Sequence, residues 1–131
     1  MYAVPHLIVE YSANLEDDLD LDGLMVKLRD AAVATGVFPL GGIRVRGARR
    51  DRYLIADGDP DNGFVHVTVR IGHGRALAVR KQAAESLFAV LSEQVDALFV
   101  QRGLGLSLEV QEIDPATSIK KSSLHERLAG G

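Results

Sequence analysis

Three residues able to do chemistry stand at turning points of the sequence: Pro5, Arg44 and Arg75. What Pro5 can do depends on its nitrogen. Within a chain it is an amide with no N–H and no basic lone pair, the first residue of a strand and nothing more. At a chain terminus it is a secondary amine that takes up and returns a proton near neutral pH. Arg44 lies in Ile43-Arg44-Val45-Arg46. Alternation there predicts a strand with Ile43 and Val45 on one face and the two arginines on the other. A guanidinium fixed on a strand is a good bidentate partner for a carboxylate. Arg75 ends Gly72-His73-Gly74-Arg75, a predicted strand-to-helix turn. Backbone N–H groups at a helix start attract anions, and Arg75 adds a full charge there. Each arginine also has a plainer reading, a solvated side chain beside glycines that only permit the turn. Spacing alone favours that plainer reading for both.

Other chemistries find little support. The four histidines, at 6, 66, 73 and 125, show no paired ligand spacing, and cysteine is absent. Disulfides and thiolate metal sites are therefore excluded, and no metal is expected. His6 is expected to pack beside its strand, and His66 and His73 to be structural or exposed. There is no phosphate-cradling glycine loop ending in Lys-Ser/Thr and no Gly-x-Ser-x-Gly elbow. Arg49, Arg50 and Arg52 extend the basic run, but in a chain of net charge −3 with few aromatics they read as solvated, not as a nucleic-acid patch. No apolar run reaches the length of a membrane span, and no charged head with an apolar stretch opens the chain, so a cytoplasmic location is expected. At 131 residues, 47% hydrophobic and 25% charged, the chain is expected to form one globular domain, 1–131, with a short extension at 1–4 and a polar tail at 116–131.

The elements that must carry these residues follow from periodicity. Residues 5–11 read as a mostly buried strand. A helix is predicted from about Asp20 to Thr35, with Leu21, Leu24, Met25, Leu28 and Ala32 on one face. Asp17, Asp18, Asp20 and Asp22 crowd its start as caps and dipole partners, and Gly36 stops it. After the strand at 43–46, residues 47–52 look turn-like, a short strand is expected around 53–56, and 57–63 is a loop. Val65, Val67, Val69 and Ile71 alternate with polar residues in another strand. The longest helix is expected over 76–102, with Leu77, Ala84, Leu87, Phe88, Leu91, Val95 and Leu98 as its face. A last strand alternates from Leu104 to Gln111, and a short helix is expected at 122–128. The order predicts an α+β fold: two strand–helix–strand units forming a four-stranded main sheet with both helices on one face. The other face, expected to be partly apolar, would pack against further subunits.

The chain also resembles a known family. Pro5-His6-Leu7-Ile8-Val9-Glu10, Ala34-Thr35-Gly36-Val37-Phe38-Pro39-Leu40, Gly42-Ile43-Arg44, Ala56-Asp57-Gly58, Phe64-Val65-His66 and Ile71-Gly72-His73-Gly74-Arg75 occur in that order. Together they are similar to the 5-carboxymethyl-2-hydroxymuconate isomerases of the tautomerase superfamily, from Pro5 to about Leu128. The Gly74-Arg75 turn further resembles that of the 4-oxalocrotonate tautomerases, whose subunit is one strand–helix–strand unit. The resemblance implies a cofactor-free isomerase that moves a proton across a conjugated dienol diacid in homoprotocatechuate degradation, a pathway of aromatic compound catabolism. It implies a homotrimer with active sites near subunit boundaries and a small di- or tricarboxylate as substrate. By position Pro5 would be the N-terminal base, and Arg44 and Arg75 would hold substrate carboxylates. Residue physics agrees. A free α-amine titrates near about 8, and burial and nearby arginines both lower it toward neutrality. The same arginines would stabilise charge developing on a dienolate oxygen.

Family members begin at this proline once the initiating Met is removed, whereas four residues precede it here. The expectation is that Val4 marks the start, read as Met from a GUG codon and then removed. With the extension retained, the base is lost, and the protein binds diacids without turning them over. A promiscuous keto–enol tautomerase and a non-catalytic trimeric carboxylate-binding protein are the competing functions.

Overall fold

The structure is a computed structural model that describes residues 5–129. The expected start at Val4 falls on residues 1–4 and lies outside them. Strand β1 (His6–Ser12) is followed by helix α1 (Leu21–Ala34) and strand β2 (Arg44–Arg50). The second unit is β3 (Gly63–Gly72), α2 (Leu77–Gln94), α3 (Asp96–Gln101) and β4 (Leu104–Ile113). A short α4 (Leu124–Ala129) ends the described chain.

The strands form one sheet in the order β2-β1-β3-β4. Each unit pairs its own two strands in parallel, and β1 meets β3 antiparallel at the centre. A parallel pair requires a long crossover, and α1 and α2 supply it. Period-two alternation sends Leu7, Val9 and Tyr11 from β1, and Val65, Val67, Val69 and Ile71 from β3, to one face, where all are buried. Leu24, Leu28 and Ala32 of α1 and Leu87 and Leu91 of α2 close that face in the same core. At the start of α1, the Asp20 carboxylate accepts the Gly23 N–H at 3.1 Å, the expected cap. Gly36 adopts φ +77, which a glycine tolerates as the helix ends.

Four expectations need correction. Residues 47–50 are strand, not turn: β2 continues to Arg50, in register with Ser12, and Glu10 pairs with Arg50 at 2.8 Å. Residues 53–55 form no strand. The chain bends off the sheet at Asp51–Arg52, Leu54 is 86% exposed, and the Ile55 carbonyl is taken by the Gly58 N–H and the Asn62 amide. The long second helix is interrupted at Val95 (φ −109, ψ 13), which keeps its side chain in the core while the backbone leaves helical geometry. Its buried face is Ala83, Leu87, Leu91, Val95 and Leu98; Leu77 and Phe88 are 60% and 39% exposed. Finally, the open sheet face is mostly polar. The register brings Arg46, Ile8, Thr68 and Glu109 into one row and Arg44, His6, Arg70 and Gln111 into the next. Ile8 and Phe64 are its large apolar side chains on the central strands, because alternation sends every other strand valine and leucine to the helices.

Candidate functional site

At one end of the sheet, where β1 and β2 begin and β3 and β4 finish, lies a cavity of about 1050 Å³. Its sheet-side wall is His6, Gly42, Arg44 and the Gly72–Gly74 turn. Its outer wall is the chain beyond β4, from Pro115 through Ser118–Ser122 to α4. Pro5, the residue before His6, is buried and does not line the cavity, and its carbonyl accepts the Arg44 N–H at 3.1 Å. Parallel register thus brings Pro5 and Arg44 together from positions 39 apart in sequence.

The site is cationic. The half-buried Arg44 guanidinium donates to the Gly42 carbonyl at 2.9 Å and forms no ion pair among the described residues. Lys120 and Lys121 line the outer wall, where Glu126 is the acidic contributor. His6 reports the resulting field. Burial first, then the charges of Arg46, Arg44, Arg70 and Lys120, hold its imidazole below the usual range. Arg46 Nη1 stands 3.1 Å from His6 Nδ1. A guanidinium only donates, so Nδ1 is the acceptor and His6 is neutral with its proton on Nε2.

Arg75 is not in the cavity wall. Its guanidinium donates to Gly72 O at 3.0 Å and Val37 O at 3.3 Å, and it lies 5.1 Å over the Phe38 ring. It therefore ties the end of β3 to the segment after α1, and its half-buried charge also meets no carboxylate among the described residues. The anion-attracting turn before it is partly occupied already. Glu112 accepts the Gly74 N–H at 3.2 Å, with His73 Nδ1 at 3.4 Å and Arg80 at 3.7 Å. Gly74 sits at φ +113, so the turn requires glycine there. Glu112, placed on β4 by its register with Ile71, was not singled out by motif or spacing. Its 38-residue separation from Gly74 hides the contact from any local pattern.

Elsewhere, His66 bonds Ser107 Oγ at 2.6 Å and Glu109 at 3.3 Å on the open face of the sheet. Among the described residues no group of three or more His, Asp or Glu side chains is placed to hold a metal ion, and no helix is long and apolar enough to cross a membrane.

The fold has known counterparts. A family model described as 5-carboxymethyl-2-hydroxymuconate isomerase matches residues 5–128. The chain is 43% identical over 122 residues to the 5-carboxymethyl-2-hydroxymuconate Delta-isomerase of Escherichia coli, covering 93% of this chain and 97% of the relative. A crystal structure of a 5-carboxymethyl-2-hydroxymuconate isomerase from Deinococcus radiodurans R1 superposes with a TM-score of 0.89 at 41% identity, covering 95% of this chain and 93% of that one. Another structure, of a 5-carboxymethyl-2-hydroxymuconate delta-isomerase, gives 0.89 at 31% identity over the same shares of the two chains. A match that runs from Pro5 through the Arg75 turn to α4 leaves one conclusion: the chain belongs to the 5-carboxymethyl-2-hydroxymuconate isomerase family of the tautomerase superfamily.

Proposed function

We propose that this chain is a cofactor-free isomerase of unsaturated hydroxy-diacids of the 5-carboxymethyl-2-hydroxymuconate type, acting in the cytoplasm as a homotrimer in aromatic compound catabolism. Pro5, as the mature N-terminus, takes the enol O–H proton and returns a proton to a carbon of the conjugated system. The enol becomes a ketone and the amine is regenerated. Arg44 holds one substrate carboxylate and stabilises the dienolate that forms between the two transfers. Arg75 holds another carboxylate by exchanging its bonds to the Gly72 and Val37 carbonyls for the substrate.

The observation that carries this reading is the end-of-sheet cavity itself. It is lined by His6, the residue after the buried Pro5, and by an arginine without an ion pair among the described residues, and burial first, then nearby arginines, hold the His6 imidazole below its usual range. The same charges disfavour an ammonium at Pro5 and so keep a terminal amine basic and unprotonated near neutral pH. The family match also begins at Pro5.

The test compares chains starting at Met1 and at Pro5, assayed on 5-carboxymethyl-2-hydroxymuconate and on phenylenolpyruvate. General-base catalysis contributes about 10²- to 10⁴-fold, so the chain with Pro5 as an amide loses at least ~100-fold. Equal rates from both chains refute the proline base. Turnover by neither, with carboxylate binding retained, identifies a binding protein instead.

A further inference from the structure

We propose that His6 is a catalytic residue: its Nε2–H donates a hydrogen bond to the substrate's enol oxygen and holds that oxygen as the dienolate forms. This deepens the isomerase reading and rests on it for the reaction, whereas the orientation of the ring does not.

His6 follows the buried Pro5 and stands half-buried in the wall of the end-of-sheet cavity. Three histidines line that cavity, and two of them are engaged elsewhere. The His73 side chain is 64% exposed with Nδ1 3.4 Å from Glu112. His125 packs over Gly41, where an added Cβ would lie 2.7 Å from its Nδ1. The His6 ring is oriented instead by a cation. Arg46, two residues on from Arg44 in β2, brings Nη1 to 3.1 Å from Nδ1. A guanidinium has no lone pair to offer, so Nδ1 accepts and the ring proton sits on Nε2. Among the described residues Nε2 has no hydrogen-bond partner, whereas every buried side-chain nitrogen or oxygen has one. The Nε2–H is therefore an accessible, unused donor. A second ring proton would set N–H against N–H at Arg46. Burial first, then the charges of Arg46, Arg44, Arg70 and Lys120, also disfavour it.

The placement beside Arg44 suits an enol next to a carboxylate. His6 and Arg44 are register partners on one face of the sheet, on strands about 4.8 Å apart. In a 2-hydroxymuconate the enol carbon is bonded directly to a carboxylate carbon. With that carboxylate on Arg44, the enol oxygen lies within one strand spacing, where His6 stands. As Pro5 takes the O–H proton, negative charge develops on this oxygen and the bond from Nε2–H strengthens. The proton stays on Nε2 throughout, and no covalent bond to His6 forms or breaks. A neutral imidazole polarises an oxygen in this way without protonating it.

The test assays the chain starting at Pro5 on 5-carboxymethyl-2-hydroxymuconate, as wild type, His6→Leu and His6→Gln. Loss of one oxyanion donor costs about 10²- to 10³-fold in kcat, so His6→Leu should lose at least ~100-fold. KM should change little, because the bond matters only once charge develops. His6→Gln should recover most of the loss, since its amide offers an N–H in the same region. Nitrogen NMR of the wild-type imidazole above neutral pH should show the Nε2–H tautomer, and Arg46→Met should admit the Nδ1–H form; this measurement needs no turnover. Four results overturn the assignment and leave the isomerase reading standing: a His6→Leu kcat within twofold of wild type, a loss confined to KM, a His6→Gln no faster than His6→Leu, or an Nδ1–H tautomer in the wild type. A wild type that turns over nothing from the Pro5 start overturns the isomerase reading, and this assignment with it.

Discussion

Replacing Arg44 by alanine separates the charge of the site from the stability of the fold. In the folded chain the guanidinium makes one hydrogen bond, to the Gly42 carbonyl at 2.9 Å, and no ion pair among the described residues. Losing a half-exposed neutral-acceptor bond costs about 1 kcal/mol of stability. The backbone bond from Arg44 to Pro5 survives the substitution, so the strand keeps its place. For a domain of this size the melting temperature should drop by roughly 4 °C. Catalysis should suffer far more. A charge-assisted contact to a substrate carboxylate contributes about 1.5–3 kcal/mol, and each 1.4 kcal/mol is tenfold, so kcat/KM should fall about 10- to 150-fold. Arg44→Lys should recover part of that loss, because it restores charge without the planar fork. Initial rates of enol disappearance with the chain starting at Pro5, beside thermal unfolding of the same samples, measure both quantities. An Arg44→Ala enzyme within twofold of wild type would refute the site assignment. So would a rate loss no larger than the loss of folded protein at the assay temperature.

Arg75→Ala should cost stability as well as activity, because the side chain proposed to hold a second carboxylate also ties β3 to the segment after α1. It removes two bonds to carbonyls and a contact with the Phe38 ring, together about 2 kcal/mol, and should lower the melting temperature by roughly 8 °C while leaving Arg44 untouched. Gly41→Ala should displace α4 by forcing a Cβ against His125; hydrogen exchange at 124–129 should accelerate while the amides of β1 and β3 stay protected. At alkaline pH, Tyr11 sets a stability limit. Burial first, then its 2.6 Å bond to Glu16, push its phenol up to about 12. The unfolded chain ionises this group near about 10, so its contribution is complete below that pH and is lost as pH rises toward 12. Urea unfolding should therefore show the stability advantage of wild type over Tyr11→Phe shrinking across that window, and a constant difference would disprove the linkage.

How much of this was legible in the sequence depends on what holds each element. The valines of β3 and the Leu24-Leu28-Ala32 face of α1 carry a period, and burial follows it residue by residue. The second half of β2 carries none. Gly47-Ala48-Arg49-Arg50 is a strand because its backbone pairs with Val9–Ser12, and because Gly47 leaves room for Leu21, whose Cδ2 would lie 2.7 Å from an added Cβ. Nothing local announces either fact. The break at Val95 likewise has no glycine or proline to mark it. Pro5 and Arg44 could be singled out by residue type, but their meeting depends on parallel pairing. The outer wall of the cavity was the least legible part. A polar tail has no amphipathic period, and its position depends on α4 finding the turn at Leu40–Gly42.

The repeated strand–helix–strand plan sharpens the question of why one site forms and not two. β1 and β3 are antiparallel, so the two units start their strands at opposite ends of the sheet, one after Pro5 and the other at Gly63. The end at Gly63 is filled. The fully buried Ser12 hydroxyl accepts the Phe64 N–H at 3.0 Å and donates to Asn14 at 2.7 Å, while Asn14 donates to the carbonyls of Pro60 and Asn62. Leu15 packs so closely that a Cβ on Gly63 would lie 2.8 Å from it. There the polar groups satisfy one another, and Leu15 occupies the space over Gly63. At the Pro5 end the corresponding space is open, and Arg44 faces it with a hydrogen bond to the Gly42 carbonyl and no ion pair among the described residues. Duplication of the unit thus supplies the scaffold twice, whereas the function depends on only one end remaining unfilled. Bulky or hydrogen-bonding residues introduced at Gly42 or Gly72 should close the open end as Leu15 and Asn14 close the other, abolishing carboxylate binding without disturbing the sheet.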